Sequence, residues 1–580
     1  MKIKLAKTAG FCMGVKRAIE IALFQANKKD GKLFTYGPLI HNEQVLELLR
    51  SKGVNIIKDL ADEQNGRVII RAHGISPVEK KRLEESKFQV IDATCPRVLK
   101  VQAIIKNYSK SGYVPVIFGD LMHPEVIGLV GYSDGKGIVS NSFDDIKKAL
   151  EQNEDRRFVV VSQTTQDTQA YKQFTKSIKE LYPDSKIFET ICDETYKRQA
   201  EAKLLASEAD CMVIVGGKNS GNTKRLYEIS KKMGKPSFHI ETEDELHPSW
   251  FSSANTVGVT AGASTPNWMI KRVTEKLRSM TNNRHYYFEN FTAKIFQFIN
   301  KTTITEPVGA FSLTYAGIAL TGNKKLFTYP FIAMFYVYGM HVLNRFLDKE
   351  ANKYNDPVMA NFYGKNNLIL LSSSLAAIIA GMTLSLSLGL IQFLLFTALT
   401  ILGLSYSIPI IPLKSKYLGR YAKIKDIPGS KDLTEALAWG IIAALFPVIG
   451  VDAIYWPAVL ISFFFVSSMC YIRTGFINLL NIQGDLIVGK ETLPIALGEK
   501  RALGLLIGLT AVFALMTLFS AILGLSSKLA YLLVFSYAVS FFYLIAYKKY
   551  YMRDEYVLKS IVEFNLLLAG IIAFIWTHVR

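Results

Sequence analysis

The sequence KIFETICDET at residues 186–195 decides the fold, because an apolar, strand-like run ends there in a cysteine that opens a helical pattern. The same arrangement occurs twice earlier, where residues 3–11 lead into Cys12 and residues 88–94 lead into Cys95. A cysteine at a helix N-terminus lies at the positive end of the helix dipole, which favours the thiolate that binds metal. Taken singly, each cysteine is more typical of a buried thiol. The repeated context favours three sulfurs directed at one metal centre, at spacings too long for a zinc finger or a local ferredoxin motif.

Length and composition bound the remaining possibilities. A chain of 580 residues is too long for one core and predicts several domains. Five cysteines and no cleavable signal predict a chain that starts in the reducing cytosol, without a disulfide scaffold. The net charge of +19 suits nucleic acid or a membrane surface. Beyond residue 307 the chain is mostly long apolar runs with basic loops between them, so we expect a membrane and no nucleic acid.

Residues 1–281 alternate β-branched apolar runs with amphipathic helical patterns, which predicts α/β units with parallel strands. Polar residues with chemical potential follow the ends of the predicted strands, where ligands bind in open α/β sheets. These residues are His41, His73, His123, Glu125, Thr164, Thr165, Ser220, Asn222 and Ser264. Because six strand ends carry them, a ligand site is favoured over ordinary turn chemistry.

Two of these stretches have a specific physical interpretation. The sequence GGKNSGNT at residues 216–223 joins a strand to a helix and offers backbone N–H groups to an anion, although a plain turn is the alternative. His41 and His73 can add donors to the same anion, or they can be structural histidines. Glu125 is a candidate proton donor if it is shielded from water, because burial raises a carboxyl pKa; a solvated glutamate at a helix start is equally compatible.

The first half of the chain resembles the 4-hydroxy-3-methylbut-2-enyl diphosphate reductases (IspH/LytB family). The resemblance covers residues 1–281 and rests on motifs in a fixed order. These motifs are GFCMGV (10–15), RAHGI (71–75), DATCP (92–96), HPE (123–125), QTT (163–165), TIC (190–192), GKNS (217–220) and AGASTP (261–266). One departure is Gly221, where relatives often have a second serine, and Cys211 lies inside an apolar strand and is predicted to be core.

The resemblance implies an α/β trefoil of three modules around a [4Fe–4S] cluster, with an open iron for the substrate hydroxyl. Cys12, Cys95 and Cys192 are then the cluster ligands. It also implies that a diphosphate substrate is held by His41, His73, His123, Ser220, Asn222 and Ser264. Glu125, Thr164 and His123 are implied to deliver protons, and two electrons from a donor such as ferredoxin or flavodoxin give isopentenyl and dimethylallyl diphosphates.

An all-α membrane bundle of about nine transmembrane helices is expected after a linker or interfacial segment at 282–300. The second domain, 301–580, contains nine apolar segments at 307–322, 327–343, 367–388, 391–411, 434–451, 455–473, 502–524, 528–547 and 560–578. The loops 344–366, 412–433, 474–501 and 548–559 are rich in lysine and arginine. The positive-inside rule places these loops and the reductase domain in the cytoplasm of a cell-membrane protein, with Arg580 outside.

Two of these loops also carry oxygen side chains at helical spacing, in NRFLDKEAN (344–352) and NLLNIQGDLIVGKETLP (478–494). With SYSIP (405–409) and KDIPGS (425–430), they resemble the UbiA superfamily of intramembrane prenyltransferases. The resemblance implies that Asn344, Asp348, Asn481 and Asp485 hold Mg²⁺ on a prenyl diphosphate, with a membrane lipid or other prenyl acceptor as partner. Asn352, Asn478 and Asn481 depart from a pattern that is commonly acidic.

Three interpretations remain open from the sequence. The membrane half is a transferase that works beside the reductase, or it is a non-catalytic anchor or lipid-binding module. A membrane-tethered iron–sulfur sensor without turnover is the third.

Overall fold

Strands in the first half of the chain form where β-branched residues run together, and most of these residues are buried on both faces of a sheet. The structure is a computed structural model, and it describes residues 1–28, 30–59, 65–151, 157–280, 304–322, 327–347, 353–405, 429–451, 454–490, 492–548 and 555–579. The chain divides into unit 1, Met1–Arg284, and unit 2, His285–Arg580.

Three four-stranded sheets make up unit 1 in its described residues, and every strand pairing in them is parallel. The strands are β1 Lys2–Leu5, β2 Leu33–Tyr36, β3 Val54–Ile57, β4 Gly66–Ile70, β5 Phe88–Asp92, β6 Val114–Phe118, β7 Ile138–Ser140, β8 Phe158–Ser162, β9 Lys186–Ile187, β10 Cys211–Val215, β11 Ser237–Ile240 and β12 Thr256–Ala261. The sheet orders are β1-β12-β10-β11, β3-β2-β4-β5 and β7-β6-β8-β9. The predicted α/β organisation with parallel strands in three modules is therefore confirmed.

Helices connect these strands. They are α1 Met13–Asn27, α2 Glu43–Ser51, α3 Pro77–Glu84, α4 Pro96–Lys110, α5 Pro124–Val130, α6 Phe143–Glu151, α7 Thr168–Leu181, α8 Asp193–Glu208, α9 Gly221–Lys232 and α10 Asn267–Ser279, with 3-10 turns at Glu243–Glu245 and Pro248–Phe251. Because β1 pairs with β12, the first and last strands of unit 1 belong to one sheet and close the first module.

Unit 2 is helical throughout its described residues. Its helices are α11 Thr305–Leu320, α12 Thr328–Leu347, α13 Pro357–Lys365, α14 Asn367–Leu388, α15 Leu390–Ser405, α16 Ser430–Gly440, α17 Trp456–Val488, α18 Leu493–Leu497, α19 Glu499–Ile522, α20 Leu529–Lys548 and α21 Glu555–Val579. A π turn at Ile441–Leu445 and a 3-10 turn at Phe446–Val448 follow α16.

Each of the nine predicted apolar segments coincides, at least in part, with one of these helices. Within the described ranges, five helices are long and apolar enough to cross a membrane, namely α14, α17, α19, α20 and α21. The fifth predicted segment, 434–451, is interrupted where α16 gives way to the π and 3-10 turns. A membrane-embedded unit 2 follows from the five helices, whereas nine crossings stay a prediction.

Charged side chains inside unit 2 link four of its helices. The guanidinium of Arg473 on α17 contacts the carboxylates of Glu306 on α11, at 2.8 Å, and of Glu563 on α21, at 2.7 Å. His341 on α12 pairs with Glu306 and accepts a 2.6 Å hydrogen bond from Nε of Arg345. Since an unpaired charge inside a helix bundle is costly, this network favours one arrangement of helices that are remote in sequence.

Candidate active site

Each of the three predicted cysteines directly precedes the first residue of a helix. Cys12, Cys95 and Cys192 are the N-cap residues of α1, α4 and α8. The strands that lead into them are shorter than predicted, since β1 ends at Leu5 and β9 at Ile187. The remaining residues before each cysteine form loops, which carry the sulfurs beyond the sheets.

Close contacts between the three helix starts bring the cysteines together. A Cβ added at Gly14 would lie 2.5 Å from Sγ of Cys95, so only glycine lets α1 approach α4 this closely. Arg97 on α4 donates a 2.5 Å charge-assisted hydrogen bond to Asp193 on α8. All three cysteines line one cavity of unit 1.

Burial opposes the thiolate expected from the helix dipole. It raises the pKa of the Cys12 thiol above its ordinary value, although the backbone N–H of Val15 acts in the other direction. It raises the pKa of Cys95 as well. At Cys12 and Cys95 burial therefore outweighs the effect of the helix N-terminus on the thiol pKa, whereas coordination to a metal deprotonates a thiol outright.

Three histidines come together at the same cavity, and each of them lines it. The ring centroids of His41 and His73 lie 4.6 Å apart, and His123 lies 5.5 Å from each. One ligand nitrogen from each ring falls within 4.8 Å of the others, a spacing that fits a bound ion. Burial lowers the pKa of His41, that of His73 well below its usual range, and that of His123 to about 4, so the rings are neutral near pH 7.

The loop after β10 forms a cradle beside these histidines. Gly217 lies against the chain at His41, since an added Cβ would be 2.7 Å from the His41 carbonyl oxygen. Ser264 donates a 3.0 Å hydrogen bond to the same oxygen. Ser220 caps α9, and both polar side-chain atoms of buried Asn222 have no partner among the described residues. Unpaired donors at a helix N-terminus fit an anionic ligand.

Glu125 lies on α5, which His123 caps by accepting a 3.2 Å hydrogen bond from the Glu125 N–H. Its side chain is 2% exposed, and its two oxygens accept hydrogen bonds from the backbone N–H and the hydroxyl of Thr164, at 2.7 and 3.0 Å. Burial raises the pKa of Glu125 to about 7. A carboxyl with that pKa can donate a proton at neutral pH.

The cavity that these groups share has a volume of about 780 Å³, including solvent at its mouth. It is lined by the three cysteines together with His41, His73, His123, Glu125, Thr164, Thr165, Ser220, Asn222 and Ser264. The structure thus places every predicted site residue of the first half around one cavity. Cys211 lies apart from it, buried in β10, where burial raises its pKa to about 11.

Arg198 also lines the cavity and was missed from the sequence. It lies inside α8, and its side chain donates to the carbonyl oxygens of Ala261 and Gly10, at 3.1 and 2.6 Å. Its position six residues after Cys192 is the one signal that the sequence offered.

In unit 2 one of the four predicted magnesium ligands, Asp348, lies outside the described residues, as does Asn352. Asn344 lies half-buried near the end of α12. Asn481 and Asp485 lie one turn apart on α17, and the Asp485 carboxylate accepts a 2.9 Å hydrogen bond from Asn355.

Asp432 is a further carboxylate that the sequence did not single out. It is 1% exposed and accepts a 2.6 Å hydrogen bond from the amide of Asn478. The face of α17 that carries Asn478, Asn481 and Asp485 therefore has acidic or amide partners at both ends.

Comparison with known proteins covers both halves of the chain. A model of the LytB protein family matches residues 3–278. The 4-hydroxy-3-methylbut-2-enyl diphosphate reductase of Geobacter sulfurreducens is 44% identical over 284 residues, which are 49% of this chain and 99% of that protein. The protein of the same name from Aquifex aeolicus is 42% identical over 281 residues, 48% of this chain and 96% of that one. A solved UbiA homolog from Archaeoglobus fulgidus, bound to GPP and Mg²⁺, is 16% identical and covers 47% of this chain and 98% of its own, with a TM-score of 0.35.

Proposed function

This chain belongs to the LytB protein family through its N-terminal half, and we propose how the residues of that half divide the reaction among themselves. Unit 1 is a 4-hydroxy-3-methylbut-2-enyl diphosphate reductase of the methylerythritol phosphate pathway to isoprenoids. Its reaction consumes two electrons and two protons, breaks the allylic C–O bond, releases water, and leaves isopentenyl or dimethylallyl diphosphate.

Cys12, Cys95 and Cys192 hold a [4Fe–4S] cluster in this proposal. Their thiols come from three separate helix starts and line one cavity, and a buried arginine beside them has a side-chain nitrogen without a partner among the described residues. This donor set fits an anionic iron–sulfur cluster and fits neither a disulfide nor a local zinc motif. The cluster supplies the electrons when it is bound.

The histidines and the loop after β10 hold the diphosphate. Neutral His41, His73 and His123 donate or accept according to tautomer, and an arriving anion favours their protonated forms. The unpaired amide of Asn222 and the capping Ser220 add neutral donors at the start of α9. The substrate is thereby fixed by its charged end, and its hydroxyl end extends toward the cysteines.

Glu125 supplies a proton to the departing oxygen in this scheme. Thr164 orients the carboxyl through its N–H and hydroxyl. Because burial raises the pKa of Glu125 to about 7, the acid form is populated in neutral solution and the proton is transferable there.

The convergence of the three cysteines and the Glu125–Thr164 pair on one cavity carries this proposal. It is tested by incubating the purified full-length protein, prepared anaerobically in lipid, with substrate and a chemical reductant. We expect both C5 diphosphates by mass spectrometry. A protein with a full complement of iron and sulfide that leaves the substrate unchanged would contradict the proposal and favour a sensor without turnover.

We infer for unit 2 an Mg²⁺-dependent site for a prenyl diphosphate on the face of α17. The supporting observation is Asp485, a buried carboxylate held in place by Asn355 beside the amide of Asn481. Carboxylate and amide oxygens ligate Mg²⁺ together with substrate phosphates. A lipid-binding anchor is the second candidate, because the amides lower the negative charge available to the cation.

Release of diphosphate separates these two candidates. The protein in lipid is incubated with a prenyl diphosphate, Mg²⁺ and a lipid extract, and with Asp485→Asn as the matched variant. We expect Mg²⁺-dependent release that Asp485→Asn abolishes while the C5 reduction continues unchanged. Equal release by both proteins would favour the anchor.

The remaining assignments concern partners and location. We place unit 1 and the basic loops on the cytoplasmic side of a cell membrane, because positive loops are retained there. A small electron-carrier protein such as ferredoxin or flavodoxin supplies the electrons, since every turnover consumes two electrons that must come from outside the site.

A further inference from the structure

Arg198 buries a positive charge beside the cysteine cavity. Its side chain is 2% exposed, and the residue lines the cavity together with Cys12 and Cys192. A guanidinium stays protonated in proteins, so this position carries a fixed charge of +1. Burying such a charge is expensive unless an anion or several hydrogen bonds compensate for it.

The described contacts of Arg198 supply only part of that compensation. Nη1 and Nη2 donate to the neutral carbonyl oxygens of Ala261 and Gly10. Nε is buried and has no partner among the described residues. The nearby carboxylates have other partners as well: Glu201 accepts from the backbone N–H groups of Lys7 and Thr8, and Glu194, which also lines the cavity, pairs with Lys197 at 3.7 Å.

The two carbonyl groups that Arg198 contacts belong to the backbone segments that position Cys12. Gly10 precedes Cys12 by two residues, and the backbone N–H of Cys12 donates to the oxygen of Ala263, just after Ala261 at the end of β12. The arginine therefore joins the Cys12 loop to β12, while its own helix, α8, begins directly after Cys192. Arg198 is therefore connected to two of the three cysteines, to Cys12 through these hydrogen bonds and to Cys192 through the helix α8.

We propose that Arg198 is the built-in counter-cation of the iron–sulfur cluster, which favours the reduced cluster and so raises its reduction potential. This inference rests on the proposed cluster function. A cluster bound by three thiolates is anionic and becomes more so on reduction, so a fixed cation in a buried, low-dielectric place stabilises the reduced form more than the oxidised form. The unpaired Nε is available to donate to a sulfur. Arg198 thus acts as a positioning and tuning residue through the cluster.

A matched set of variants separates charge from structure. Arg198→Gln removes the charge and keeps an N–H donor, whereas Arg198→Lys keeps the charge and loses the planar fork. Arg67→Gln is the control. Arg67 is also buried at 5% exposure, donates to the backbone oxygen and side chain of Gln25, and has an Nε without a described partner, but it lies at the start of β4 and does not line the cavity.

The measurement is an anaerobic redox titration of the full-length proteins in lipid, followed by electron paramagnetic resonance, with iron and sulfide content determined on the same samples. We expect a more negative reduction potential for Arg198→Gln, and values near that of the unsubstituted protein for Arg198→Lys and Arg67→Gln. An unchanged potential in cluster-loaded Arg198→Gln, or an equal shift in the lysine variant, would overturn the inference.

Loss of the cluster is interpretable as well. If Arg198→Gln assembles no cluster, the charge role requires that Arg198→Lys still does so; failure of both variants would mean that Arg198 is only a structural tie. If the unsubstituted protein holds no cluster, the proposed function itself fails. A loaded, active protein with an unshifted Arg198→Gln potential refutes only the role of Arg198.

Discussion

Burial sets the protonation state of the individual groups in the site. The same desolvation that raises the pKa of Glu125 to about 7 lowers the pKa of His123 to about 4. Near pH 7 the cavity therefore contains both the acid form of Glu125 and the neutral imidazole of His123. The acid is suited to proton transfer, and the imidazoles become charged only when an anion compensates for their burial.

The first prediction concerns Glu125 and pH. Turnover should fall as pH rises through about 7, because the carboxyl loses the proton that it must donate and its folded-state pKa lies there. Glu125→Gln should keep its contacts with Thr164, because the amide oxygen can accept from the backbone N–H and the NH2 group can donate to the hydroxyl oxygen. The variant should bind substrate but lose about 10²–10⁴-fold in kcat. Steady-state kinetics between pH 5 and 9, with cluster content as the control, measure both effects. A Glu125→Gln protein with near-normal kcat would remove this residue from the proton path.

The second prediction concerns Gly221. A Cβ added there meets nothing within 4 Å, so serine fits at the start of α9 and adds a hydroxyl beside the diphosphate cradle. A hydrogen bond to a charged group is worth about 1.5–3 kcal/mol, so Gly221→Ser should lower the substrate Kd about tenfold or more. Gly217→Ser is the contrasting variant, because its Cβ would lie 2.7 Å from the His41 carbonyl, and it should weaken binding. Isothermal titration under anaerobic conditions decides, and an unchanged or weaker Kd in Gly221→Ser would contradict the assignment.

The elements that the sequence predicted well are those with local signals. A helix start after a strand is encoded by neighbouring residues, so the positions of Cys12, Cys95 and Cys192 were predictable, although β1 and β9 are shorter than predicted. Arg198 and Asp432 were not predictable, because their partners are remote: Arg198 binds Gly10, 188 residues away, and Asp432 binds Asn478, 46 residues away. The periodic spacing of apolar residues predicts helices and strands, but it carries no information about contacts between polar residues that are remote in sequence.

The third prediction uses two asparagines on one helix, α17. Asn481→Asp should lower the Mg²⁺ concentration needed for diphosphate release, because it adds a carboxylate one turn from Asp485. Asn478→Asp should instead destabilise unit 2, because it replaces a donor to Asp432 by a second carboxylate at a 2.6 Å contact. Two like charges about 4 Å apart repel by about 4 kcal/mol at an effective dielectric near 20. Mg²⁺ titration of activity and thermal unfolding in lipid measure the two outcomes, and identical behaviour of the two variants would contradict this view of the helix face.

The whole molecule joins an α/β reductase to a helical unit with five helices long and apolar enough to span a membrane, counted within its described residues. Parallel sheets and apolar helices were both predictable, because each follows from a repeating hydrophobic pattern. The number of crossings is not set by that pattern, since short apolar helices such as α11 and α15 are compatible with a span or with burial in the bundle.

The fourth prediction addresses topology. A reporter enzyme inserted after Lys548 should be on the cytoplasmic side, and the same reporter after Arg580 should be on the other side, because α21 lies between the two positions and the loop before it is basic. A pair of reporters, one active only in the cytoplasm and one only outside it, reads both positions. Both fusions on the same side would show that α21 does not cross.

In the proposed function, three cysteines that are remote in sequence hold the cluster of a diphosphate reductase, and one pair of variants examines this assignment. Cys192→Ala removes a cavity thiol, and Cys211→Ala removes a buried thiol of β10 that lies outside the cavity. Iron, acid-labile sulfide and C5 diphosphate formation are measured on the same anaerobic preparations. Cys192→Ala should lose the intact [4Fe–4S] cluster and product formation, whereas Cys211→Ala should keep both. Equal cluster loss in the two variants, or full activity of Cys192→Ala, would contradict the assignment.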